Sequence, residues 1–148
     1  RHDLVRRKKK AGVYESKERY VKLTYDLLNS SSWQFLNPSS VRVYIEICRR
    51  YNGYNNGKIA MSHNDCVAVI KAGKQTVNRA IKQLVEHGFI KIVKKGYFIG
   101  RQATEYAITD FQLDGRPPTR EWKQWVPSKK HRRKQMPKIG IQAILDTM

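Results

Sequence analysis

Hydrophobic residues recur along the middle of the chain with two different periods. Tyr20-Val21-Lys22-Leu23 alternates, which predicts a short strand. Thr24 to Asn29 predicts a helical turn, and Ser30-Ser31-Ser32 a loop. Asn37-Pro38-Ser39-Ser40 carries the Pro and Ser of a helix start. Behind it Val41, Tyr44, Ile45 and Cys48 fall at 3.6-residue spacing, so this helix is expected to bury that face and to end near Tyr51-Asn52-Gly53. Asn55-Asn56-Gly57 signals a turn, and Lys58-Ile59-Ala60-Met61-Ser62 a short strand.

Ser62 can cap a second helix, with Asp65 placed to complete a capping box. Cys66, Val67, Val69 and Ile70 are its expected buried side, and Lys71-Ala72-Gly73-Lys74 breaks it. A third helix is predicted from about Lys74 to Glu86, with Val77, Ile81, Leu84 and Val85 as a one-sided stripe. Gly88 is the residue type favoured just past a helix end. Phe89-Ile90-Lys91-Ile92-Val93 predicts a strand, Lys94-Lys95-Gly96 a basic turn, and Thr104 to Thr109 a returning strand with Tyr106 and Ile108 on one face.

Charge changes the picture. The 148 residues hold 30 Lys+Arg against 12 Asp+Glu, a formal net charge of +18. Hydrophobic content is 40%, below the roughly 45–50% of a typical globular chain. Residues 1–19 carry eight Lys/Arg and three acids, and residues 116–138 carry nine and one, so both ends are more basic per residue than the middle. Arg6, Arg7, Lys8, Lys9 and Lys10 form one run; Lys129, Lys130, Arg132, Arg133 and Lys134 form the other. Like charges repel and these runs have nothing apolar to bury, so neither is expected to fold on itself. Flanking a basic domain, they point to arms for a polyanion more than to solubility tails. The expected division is a basic arm over 1–19, a folded domain over 20–113, and a basic, Trp-containing extension over 114–148.

The predicted order is helix, short strand, helix, tight turn, helix and a two-stranded basic hairpin. That is the layout of a winged helix-turn-helix: an α+β fold, mainly α, with a three-helix core, a short strand and a two-stranded β wing. Thr76 to Ile90, TVNRAIKQLVEHGFI, is similar to the recognition helix and wing entry of bacterial winged-helix regulators. The NGYNNGKIAMS lead-in resembles small winged-helix proteins of proteobacterial phages, plasmids and mobile elements. The resemblance covers about residues 40–109, and implies a DNA-binding protein of transcription control or, alternatively, of plasmid or phage replication. The sequence departs from the family in the turn, where Lys71, Ala72 and Gly73 replace the usual Gly, β-branched residue and Ser. Gly73 then has to cap the third helix without a side-chain oxygen, which costs only a few tenths of a kcal/mol.

The residue chemistry points the same way. With the apolar stripe inward, Lys74, Gln75, Thr76, Asn78, Arg79, Lys82 and Gln83 lie on the other sides of the third helix. Arg pairs with guanine O6/N7, Asn or Gln with adenine N6/N7, and Thr with phosphate or a thymine methyl. A helix fits the major groove, and Lys94, Lys95 and Arg101 on the wing can reach phosphate or the minor groove. Tyr97 and Phe98 either belong to the core or stack on exposed bases. Trp122 and Trp125, three apart, either pack back on the domain or anchor a partner. Ile139 to Met148 is either a docking helix or a fraying end.

Other function classes lack their signatures. His2, His63, His87 and His131 have no second ligand at metal spacing, and Cys48 and Cys66 form no CxxC pair. There is no phosphate-binding glycine motif and acids are sparse, so no enzyme, metal or cofactor is expected. No apolar run reaches the roughly 18 residues of a membrane span, and no signal peptide is visible in a chain that starts at Arg1, so the expected setting is bacterial cytoplasm, with the nucleoid. Expected partners are double-stranded DNA, a second copy on a palindromic site, and transcription or replication machinery through the C-terminal extension. An RNA-binding protein is a further alternative; it would use the tails, because the aromatic clusters lie outside the third helix.

Overall fold

The computed structural model describes residues 18–97 and 102–135. Among the described residues, six helices and a three-stranded antiparallel sheet make an α+β fold that is mainly helical. Two one-turn helices come first, α1 (Tyr25–Leu28) and α2 (Ser31–Gln34). Then follow α3 (Pro38–Arg50), β1 (Ile59–Met61), α4 (His63–Ile70) and α5 (Lys74–Glu86). The hairpin strands β2 (Ile90–Lys94) and β3 (Thr104–Ile108), a 3-10 turn at Glu121–Lys123 and α6 (Lys129–Gln135) complete the order.

Tyr20–Leu23 is not a strand. Val21 and Leu23 still lean on the core while Tyr20 is exposed, so the alternation belongs to an extended segment without a partner strand. Ser30-Ser31-Ser32 is not a loop either. The Ser30 hydroxyl accepts from the Trp33 N–H and caps α2, the local bonding that competes with turn formation in serine-rich segments.

The helix α3 starts at a proline, as its sequence predicts, but its buried stripe is rotated from the expected one. Ser40, Val43, Tyr44, Ile47 and Cys48 face inward, Val41 is half-buried, and Ile45 is 37% exposed. Two polar residues are buried on this helix because each has a partner, one on a distant helix and one within the same helix. The Ser40 hydroxyl bonds Gln83 Oε1 at 2.5 Å, and Glu46 is held by Arg49 and Arg50.

A full capping box starts α4, with Ser62 Oγ accepting from the Asp65 N–H and Asp65 Oδ2 from the Ser62 N–H. It ends at Lys71, whose backbone is left-handed at φ 55°. Lys71, Ala72 and Gly73 are the whole connection to α5. That helix buries Val77, Ala80, Ile81 and Leu84; Val85, expected in the stripe, is 38% exposed. Its end is a Schellman motif: the Phe89 N–H bonds the Leu84 carbonyl, the Gly88 N–H bonds the Val85 carbonyl, and Gly88 takes φ +82°.

The short strand and the hairpin form one sheet, in the order β1-β3-β2. Ile59 pairs with Tyr106, and Ile90 with Ile108. The open edge strand β2 is interrupted by a bulge between Ile92 and Lys94, where Val93 is the extra residue. The core closes between sheet and helices on Val43, Ile47, Ile59, Met61, Val77, Leu84 and Phe89, all fully buried. Trp33 meets Tyr44 and Phe89 edge-on at 5.6 and 5.7 Å. Asn56 braces the sheet from the α3–β1 loop: its Oδ1 accepts from the Ile108 N–H, and its Nδ2 donates to the carbonyls of Ile108, Phe111 and Gln112.

Packing continues past residue 113. Trp122 is 3% exposed and lies parallel to Phe89 at 6.2 Å, and its carbonyl accepts from Ser32 Oγ at 2.7 Å. Arg120 pairs with Asp110, and Lys91 with Glu121 at 2.6 Å. The basic run after Trp125 is helical as α6, although its sequence gives no reason to fold alone. Among the described residues, no helix is long and apolar enough to cross a membrane.

Candidate nucleic-acid interface

The helix α5 separates its residues by chemistry. Lys74, Gln75, Thr76, Asn78, Arg79 and Lys82 are all exposed, on the sides opposite Val77, Ala80, Ile81 and Leu84. Three of these six are cations, and the only acid on the helix, Glu86, stands in its last position. The first-turn N–H groups have no intrahelical acceptors, and Gly73 offers no side-chain oxygen to them. That end of α5 keeps its partial positive charge for an external acceptor.

Gln83 belongs elsewhere. Its Oε1 accepts from the Asn37 N–H at 2.9 Å and from Ser40 Oγ, and its Nε2 reaches the Phe35 carbonyl at 3.5 Å. The amide expected on the polar face of α5 therefore locks that helix to the start of α3. Only partners more than forty residues away fix that role.

The hairpin leaves the C-terminal end of α5 through His87, Gly88 and Phe89. Lys94 and Lys95 are exposed at its far end, and Tyr97, bridged to Gln102, is 64% exposed. Gly96 fits there because a Cβ would run into the Gln102 carbonyl and come within 2.8 Å of the Thr104 and Ala103 backbone. Arg101 and Phe98 lie outside the described residues, as do Arg6, Arg7, Lys8, Lys9 and Lys10 and the segment from Ile139 to Met148. Lys129, Lys130, Arg132 and Arg133 are exposed on α6; Lys134 belongs to that helix, and its side chain is outside the description.

Other cations are spent inside the fold. Arg49 bonds both carboxylate oxygens of Glu46 at 2.8 Å, and these bonds hold the Glu46 carboxyl below the usual range. Arg50 joins the same carboxylate and also donates to the Ala60 carbonyl. Arg42 donates to the Val69 carbonyl at the end of α4. Both cysteines are free and buried; burial pushes the Cys48 thiol up to about 12 and raises Cys66 as well, so neither is an activated nucleophile. Among the described residues, no three His, Cys, Asp or Glu side chains gather as a metal site.

An aromatic cluster at the C-terminal end of α5 goes beyond the open reading of Trp125 as packed back or partner-anchoring. His87, 2% exposed, donates from Nδ1 to the Ser32 carbonyl at 2.7 Å and stacks on Trp125 at 4.0 Å. His131 of α6 meets Trp125 edge-on at 5.5 Å, and Phe35 closes the group. A tryptophan followed six residues later by a histidine inside a cationic run is the only sequence trace of it.

Burial holds His87 below the ordinary imidazole range, and the nearby His131 adds to this, against the Ser32 bond and Glu86. The unfolded chain therefore takes up this proton first. Stability tied to His87 is complete above the ordinary value, about 6.5, and falls as pH drops from there toward the lowered folded value. Denaturant titrations between about pH 7 and pH 5 should show this loss in the wild-type chain and a shallower one in His87→Gln. Equal pH slopes in the two proteins would refute it.

Comparison of the chain with protein-family models, curated proteins and solved structures finds no match.

Proposed function

We propose that this chain is a sequence-specific double-stranded DNA-binding protein built as a winged helix, and that it regulates transcription. One observation carries the reading: α5 turns six groove-compatible side chains outward from a helix whose other side is fully committed to the core. In this reading α4 and α5 are the helix-turn-helix, and α5 enters the major groove. Arg79 and Asn78 contact base edges, while Lys74, Gln75, Thr76 and Lys82 divide between bases and phosphates. Lys94, Lys95 and Arg101 act from the wing, and the basic segments at both ends grip the backbone. A second copy would bind the other half of a palindromic site.

A replication role would use the same DNA contacts. Its separate support is the pair of tryptophans together with the basic C-terminal extension, as a surface that could recruit machinery. Trp122 is buried on Phe89 and Trp125 stacks on His87, which weakens the tryptophan part of that support, and transcription control is the reading kept.

Selection from a random duplex pool at about physiological salt, followed by sequencing, tests the proposal. An enriched motif is the expected result, an inverted repeat if the protein binds as a dimer. Arg79→Ala should weaken binding to that motif by roughly 1–3 kcal/mol and relax preference at one base pair. A pool that never enriches, or an Arg79→Ala protein with unaltered preference, would overturn groove reading.

A further inference from the structure

The helix α6 has an order that its own sequence does not account for. Its seven residues are KKHRRKQ, short of the roughly 12–15 that an isolated helix needs. Lys129 and Arg133 stand four apart, and Lys129 and Arg132 three apart, so like charges face each other along the helix. Lys129 and Lys130 occupy the first turn, where the helix dipole disfavours cations. Among the described residues, no acidic side chain pairs with Lys129, Lys130, Arg132 or Arg133.

Two things hold it in place. Ser128 caps it: the Ser128 hydroxyl and His131 Nδ1 lie 2.5 Å apart, and the Arg132 N–H bonds the Ser128 carbonyl. The aromatic group does the rest. His131 packs against Trp125 and Phe35, and Trp125 in turn stacks on His87, the C-cap residue of α5. The basic arm is thus tied by a clasp that ends on α5 itself. What the helix still lacks is negative charge along its exposed cations.

We infer that α6 is a fixed contact element for the duplex phosphate backbone, held in register with α5 by the Trp125–His87–His131 clasp. This rests on the DNA-binding reading of α5 and deepens it. The occupant is the sugar–phosphate backbone flanking the groove that α5 enters, chosen by charge complementarity: four exposed cations on two helical turns without an acid among them. Trp125 and His131 are positioning residues, since they act by holding the helix whose lysines and arginines reach the phosphates.

The test separates position from charge. The 148-residue chain is titrated against a fixed duplex of about three helical turns over a range of salt. Changing Lys129, Lys130, Arg132 and Arg133 together to Gln should lower the salt slope by roughly 3 to 4, the value for four phosphate contacts. Trp125→Ala leaves the net charge unchanged. It should still weaken binding about tenfold and flatten the slope by two or three contacts. If Trp125→Ala fails to fold, His131→Ala removes the ring from the clasp with less disturbance to the core, and is expected to move the slope the same way.

Wild-type affinity and slope in a folded Trp125→Ala or His131→Ala protein would overturn the clasp, and an unchanged slope in the fourfold variant would overturn the contact. So would a fourfold loss confined to phosphatidylserine vesicles or single-stranded RNA. The DNA-binding reading is judged separately, by whether Arg79→Ala alters base preference. A wild-type chain that binds no duplex overturns both.

Discussion

Gly88→Ala should destabilise the fold by about 2–5 kcal/mol, a large part of the roughly 5–15 kcal/mol available to a domain. Two costs add at this position. The backbone at φ +82° is left-handed, which costs a residue with a Cβ about 1–2 kcal/mol. The new Cβ would also stand 2.7 Å from the Glu121 carbonyl carbon and 2.8 Å from the Trp122 nitrogen, where the obstacle is backbone and not a side chain that can swing away. Gly53→Ala is the control, because Gly53 has φ +97° and nothing within 4 Å of the added carbon. It should show the conformational cost alone. Denaturant midpoints at constant m would report both. Equal losses would mean that the 3-10 turn does not press on Gly88.

The second large effect is expected at Trp122. Trp122→Ala removes a 3%-exposed indole from its parallel contact with Phe89 and should cost about 3–5 kcal/mol. Trp122→Phe should cost much less. The indole Nε1 is buried without a hydrogen-bond partner, so phenylalanine gives up some area but also removes an unsatisfied donor, a relief of about 1–3 kcal/mol. Thermal or denaturant unfolding of the two variants is the measurement. A Phe variant as unstable as the Ala variant would show that the indole's shape alone sets the contact. For the same reason a chain ending at residue 115 should not fold stably, since it lacks Trp122 and the Arg120 and Glu121 ion pairs.

The helices and strands of the middle were legible because their signals are local. Pro38, the Ser62–Asp65 box and Gly88 mark ends by side-chain size and bonding within a few residues, and β1, α4, α5, β2 and β3 fall where these signals put them. The exposed polar face of α5 was equally legible, since Val77, Ile81 and Leu84 leave its residues nowhere else to point. What failed depended on distant partners. On α3, two stripes fit the spacing, one through Val41 and Ile45 and one through Ser40, Val43 and Ile47. Polarity argues against burying Ser40, yet the distant Gln83 satisfies it; Glu46 is buried too, on the neighbouring Arg49 and Arg50 of the same helix. Gln83 reads as a DNA-facing amide until Asn37 and Ser40 are brought to it. The order of α6 comes from His87 and Phe35, whose nearness to residue 131 no local pattern encodes.

The strand β2 lies at an open edge of the sheet, with Ile92 39% and Val93 55% exposed. Apolar edges invite another strand, and sheet proteins block this with lysines and bulges. Here Lys94 and Lys95 follow the two residues, while Lys91 before them is paired with Glu121, and the bulge at Val93 breaks the straight row of donors and acceptors. The guard is largely electrostatic, and a polyanion neutralises it. Short of saturation, nucleic acid would cancel repulsion between molecules while leaving some edges uncovered. The chain should therefore become turbid near charge equivalence and clear again when nucleic acid is in excess, with Val93→Lys remaining clear throughout.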